Sequence, residues 1–132
     1  MSDVYVVGID MIKFMKAGTG PAVELLGAQA ALMALDDCGL KIQQMEALYC
    51  GNLGQASAMV GQRVLQQIGQ TGIPVVNVSN ACATGSTAFR EAYFAVGSGE
   101  YDVAMAVGSE QMGKAGLLGG GGRGESVEGI LG

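Results

Sequence analysis

Residues 75–86 read Val-Val-Asn-Val-Ser-Asn-Ala-Cys-Ala-Thr-Gly-Ser, a β-branched run that dissolves into small residues around one cysteine, Cys82. The first half, with Ile73-Pro74 before it, predicts a buried strand over 73–78. The second half predicts a helix over 83–96, closed by Gly97-Ser98-Gly99. Ala81, Ala83 and Gly85 leave room for a sharp strand-to-helix turn and for open space around the sulfur. Such an elbow holds a side chain at the carboxyl end of a sheet, where open α/β folds bind ligands. The free N–H groups and the macrodipole of a helix start favour negative charge. They therefore favour the thiolate, which is the attacking form of cysteine. The same N–H groups suit the oxyanion of a tetrahedral intermediate. A cysteine at a helix start is also commonly small packing, so local placement alone leaves both readings open.

Working outward, the pattern repeats. Residues 4–9 (VYVVGI) form a short apolar run that suits a buried parallel strand. A loop over 10–20 leads to Pro21, placed as a first helical residue, and Gly39 ends the helix. Residues 22–38 are apolar on almost every side, which predicts a helix buried in a layer. A second strand, 47–50, stops at Gly51-Asn52. Met59, Val60, Val64, Leu65 and Ile68 then recur at helical spacing up to Gly69. A fourth strand is expected over 101–107. The order βαβαβαβ, with helix-length connections, is that of a layered α/β fold with a parallel sheet. Residues 117–132 are glycine-rich without a period and read as a loop. Their Gly119–Gly122 run lacks the GK[ST] of a phosphate loop.

Composition narrows the function classes. With 132 residues the chain is one domain in size, and its 49% hydrophobic content excludes a disordered chain. Net charge is −5 and the seven Lys and Arg are scattered, so no basic run exists to track nucleic acid. No apolar stretch approaches the ~20 residues of a membrane span, and no basic start marks a signal peptide. Three widely spaced cysteines without a CxxC, and no histidine, fit neither a disulfide framework nor a zinc site. A reducing, cytoplasmic location is expected. Cys38 and Cys50 read as core residues, and the Asn77-Val78-Ser79 sequon as chance in a buried strand.

Three segments carry a resemblance: VVGIDMIKFMKAG at the start, GQRVLQQIGQTGIPVVNVSNACATGSTA in the middle, and YDVAMAVGSEQMGKAGLLG near the end. Together they resemble the N-terminal half of the thiolase superfamily, nearest the sterol-carrier-protein-X type. The likeness runs to about Leu118 and includes the elbow itself. It implies an incomplete thiolase-like α/β domain over 1–116, with 117–132 the start of a truncated loop domain. It implies that Cys82 accepts an acyl group from a coenzyme A thioester, with coenzyme A a substrate and no covalently bound cofactor. In the degradative direction a 3-ketoacyl-CoA is cleaved, the acyl group stays on Cys82, and free coenzyme A collects it. The family also implies a homodimer or tetramer paired through the strand Val75–Val78.

The same resemblance marks what this chain lacks. The family's activating histidine, second cysteine and oxyanion hole lie in a second half. This sequence holds no histidine, and Cys38 and Cys50 sit too early to serve as the second cysteine. A fragment of a longer enzyme, or a partner chain that supplies the rest, is therefore expected, with the isolated chain inactive. Three readings compete with thiolysis: a retro-aldolase acting on a steroid side-chain thioester, a ketosynthase of the same fold, and a non-catalytic acyl-CoA-binding scaffold.

Overall fold

In the computed structural model, residues 1–16 and 18–113 are described. The boundary expected near residue 117 lies outside them. The elements run α1 (Val23–Cys38), β1 (Leu48–Gly51), α2 (Val60–Ile68), β2 (Val75–Val78), α3 (Thr84–Gly97) and β3 (Met105–Gly108), with short 3-10 turns at 42–44, 56–58 and 81–83. The three strands are parallel in the order β2-β1-β3. The layered α/β class expected from the sequence holds.

Strand β1 is central and buried along its whole length. Its side chains alternate across the sheet, as strand geometry requires. Leu48 and Cys50 join Met105 and Val107 in one core against Val23, Ala31, Leu35, Val60 and Val64 of α1 and α2. Ala47 and Tyr49 face the other way, against Ala88, Ala92 and Ala95 of α3. Small residues let α3 approach the sheet closely. Helix α1 ends at Gly39, whose φ of +71 is the left-handed conformation that stops a helix. Among the described residues only one face of α1 is covered: Leu25 and Leu32 are 43% and 48% exposed, so its all-round apolarity does not produce the two-sided burial expected.

The expected first strand is absent. Among the described residues, residues 4–9 pair with no strand, and Tyr5, Val6, Val7 and Ile9 are exposed. The segment runs along the helices instead: the Ser2 N–H donates to the Gly97 carbonyl, and the Ile9 N–H to the Asp37 carboxylate. At Gly8 a Cβ would lie 2.6 Å from the Ala34 carbonyl oxygen and 2.8 Å from Cys38 Cβ, so glycine permits this contact. An apolar run becomes a strand only with a hydrogen-bonded neighbour. Here a cavity of about 1630 Å³ is lined by residues 3–16 on one side and 102–113 on another. The expected fourth strand is also shorter, 105–108 rather than 101–107.

Strand β2 is an edge strand rather than a buried one, with Val76 and Asn77 exposed. Asn77 is structural. Its Oδ1 accepts the Gly61 N–H at 2.7 Å and its Nδ2 donates to Gln62 Oε1, tying β2 to the start of α2. A Cβ at Gly61 would fall 2.6 Å from Val75 Cγ1, 2.8 Å from Asn77 Oδ1 and 2.9 Å from Cys50 Cβ. Gly61→Ala is therefore expected to destabilise the fold by about 1–3 kcal/mol. In urea the midpoint should fall with the slope unchanged, whereas an unmoved midpoint would mean that α2 is free to shift off the sheet.

Candidate active site

Cys82 is exposed and sits in the 3-10 turn 81–83, directly ahead of α3. The sequence placed it at the N-terminus of a helix with 83–86 as its first turn, and in the structure residues 81–83 form a tighter turn with the α-helix starting at Thr84. Ala81, just before Cys82, has a φ of +46, a left-handed conformation that costs a non-glycine residue about 1–2 kcal/mol. A strained residue persists only where its surroundings hold it. Thr84 does this from beneath. Its buried hydroxyl accepts the Asn80 N–H at 2.8 Å and donates to the Ala81 carbonyl at 2.7 Å, bracketing the strained residue. Asn80 Nδ2 donates to Thr87 Oγ1, whose hydroxyl donates to the Ala83 carbonyl. Asn80 thus braces the elbow, as a turn asparagine does.

The elbow rests on the sheet through two strand-end glycines. A Cβ at Gly51 would lie 2.9 Å from both Thr84 Cγ2 and the Thr84 carbonyl oxygen. At Gly108 it would make only an ordinary 3.8 Å contact with Gly85 Cα. Beyond them, Asn52 is buried, and its Nδ2 donates to the Ser109 carbonyl at 2.7 Å. Ser109 Oγ donates to the Val23 carbonyl, and Gln111 Nε2 to the Pro21 carbonyl. The Glu110 carboxylate accepts the backbone N–H groups of Leu53 and Gly54. Cys82, Gly85, Phe89 and Tyr93 line the large cavity together with Gln55 and residues 108–113.

The other cysteines take different parts. Cys50 is wholly buried, and burial pushes its thiol pKa up to about 11, so it is inert near neutrality. Cys38 is half-buried, with its thiol donating to the Leu35 carbonyl. No group of metal-ligating side chains occurs among the described residues. The sequence reading singled out Cys82 and the small residues around it but not Asn52, Ser109 or Glu110. Gly51-Asn52 was legible as a strand stop, whereas the reach of Glu110 across more than fifty residues left no local signal.

The profile of a family described as "Thiolase, N-terminal domain" matches residues 4–120. The chain belongs to the thiolase family. It is 39% identical over 111 residues to non-specific lipid-transfer protein-like 2 of Caenorhabditis elegans, covering 83% of this chain and 27% of that protein. It is 34% identical over 116 residues to human sterol carrier protein 2 (86% and 21% covered). To an acetyl-CoA acetyltransferase of Methanothermobacter thermautotrophicus it is 31% identical over 116 residues (85% and 30% covered). Among solved structures, 3-oxoacyl-[acyl-carrier-protein] synthase III from Aquifex aeolicus shares the fold, with a TM-score of 0.65 at 20% identity over 73% of this chain and 32% of that one. The chain therefore spans less than a third of the length of these relatives.

For this thiolase-family domain, the bracketing hydroxyl is open to direct test. Thr84→Val keeps the shape and removes both hydrogen bonds to the backbone of Asn80 and Ala81, so a loss of about 1–2 kcal/mol is expected. Thr84→Ser should retain most of the stability. Equal melting curves for Thr84→Val and the parent chain would show that the hydroxyl does not hold the turn.

Proposed function

We propose that this chain is the nucleophile-bearing part of a thiolase-type acyltransferase and that Cys82 takes the acyl group. The observation that carries the reading is the exposed Cys82 on a strained, hydroxyl-braced elbow lining a large cavity, in a chain of the thiolase family. The Cys82 thiolate attacks the carbonyl carbon of an acyl-CoA thioester. The tetrahedral intermediate collapses with loss of the coenzyme A thiolate, which takes up a proton, and the acyl group remains as a new thioester on Cys82. In the degradative direction the attack falls on the keto carbon of a 3-ketoacyl-CoA. The carbon–carbon bond then breaks, the acetyl-CoA carbanion is protonated, and free coenzyme A later removes the acyl group from Cys82.

The chain has no imidazole to take the thiol proton, because its sequence holds no histidine. The base and the rest of the coenzyme A site are assigned to the remainder of a longer protein or to a partner chain. This agrees with the small share of its relatives that the chain covers. The edge position of β2, with Val76 exposed, supports pairing of two copies through Val75–Val78.

The test uses the longer protein that contains this chain, incubated with acetyl-CoA, quenched in acid and digested. One acetyl group on the Cys82 peptide, formed with release of one coenzyme A, is expected. Cys82→Ala should lack it and lose activity by roughly 10³-fold or more. Acyl transfer at an undiminished rate by Cys82→Ala would overturn the assignment.

A further inference from the structure

Glu110 makes the most concentrated set of long-range contacts of any charged side chain among the described residues, and the proposed chemistry does not use it. It follows β3 by two positions, yet its side chain crosses to the loop after β1. Oε2 accepts the Leu53 N–H at 2.8 Å, and Oε1 accepts the Gly54 N–H at 2.9 Å. Asn52 Nδ2 also reaches Oε1, at 3.5 Å. The carboxylate thus fills a small nest of backbone N–H groups, an arrangement that suits negative charge. Gly54 is part of the fit: a Cβ there would lie 2.9 Å from Oε1. Gln55 strengthens the latch, with its Nε2 donating to the Gln111 carbonyl at 2.8 Å and its N–H donating to Asn52 Oδ1 at 2.8 Å.

The latch joins the carboxyl ends of β1 and β3 at the point where the elbow rests. Gly51 immediately precedes the latched loop and packs on Thr84, and Thr84 brackets Ala81 beside Cys82. We propose that Glu110 is a positioning residue for Cys82, acting through loop 52–55, Gly51 and Thr84. The proposal rests on the reading of Cys82 as the nucleophile. A role as a mere nearby charge makes the opposite prediction, because removing a carboxylate from the neighbourhood of a thiol makes the thiolate easier to form.

The experiment measures iodoacetamide alkylation of Cys38, Cys50 and Cys82 in the longer protein that contains this chain, at one neutral pH, with N-acetylcysteine as the reference thiol. Parent, Glu110→Ala and Glu110→Gln are compared. Glu110→Gln keeps an amide oxygen to accept one of the two backbone N–H groups. Parent Cys82 should react faster than the reference. Glu110→Ala should slow it roughly threefold or more, the scale of losing one aligned hydrogen bond, and Glu110→Gln should restore at least about half of the rate. Buried Cys50 should stay unmodified throughout. Equal or faster rates in both variants overturn the proposal, as does Cys50 alkylation rising in step with any change at Cys82, which marks general loosening. Parent Cys82 reacting no faster than N-acetylcysteine removes the nucleophile reading beneath it, an outcome separate from any effect of Glu110.

Discussion

The van der Waals contact between Gly51 and Thr84 is the constraint on which the site depends. It lets the first turn of α3 settle directly on the end of the central strand. A Cβ at position 51 would fall 2.9 Å from the threonine's methyl and carbonyl groups. The same Thr84 bonds through its hydroxyl on both sides of Ala81, whose backbone is left-handed. Cys82 is the next residue, and it is exposed because the turn lifts it off the sheet. The two cores serve the same end. One pins β1 and β3 to α1 and α2, and the other uses alanines to draw α3 down on the opposite face.

Much of this was legible in the residues, for identifiable reasons. Short apolar runs bounded by glycine marked β1, β2 and β3, and helical periodicity marked α2. The small residues around Cys82 marked the elbow, since tight turns leave a compositional trace. The misreadings share one cause, which is that apolarity reports a preference for burial and not the partner that provides it. Residues 4–9 have strand composition but lie against helices, and α1 is apolar on a face that nothing among the described residues covers. Asn77, read as part of a buried strand, is exposed and spends its amide on α2. Glu110 left no local signal, because its partners are brought near only by the parallel order β2-β1-β3.

Membership of the thiolase family is shown, and the proposed acyl transfer rests on how the three cysteines are placed. Of three cysteines, Cys50 is buried and proton-bound, Cys38 is half-buried and donates to a helix carbonyl, and Cys82 is exposed on a braced turn. Under the proposed acyl transfer, the chain supplies the sulfur of Cys82, and, having no histidine, no imidazole base.

The most direct test compares amide hydrogen exchange across residues 80–86 in Gly51→Ala and Gly108→Ala. The two glycines occupy equivalent register positions on neighbouring strands. If the Gly51–Thr84 contact sets the elbow, Gly51→Ala speeds exchange at the Asn80 N–H and its neighbours, while Gly108→Ala, with only a 3.8 Å contact to meet, leaves them protected. Equal protection in both variants would contradict the dependence of the Cys82 elbow on that single close approach.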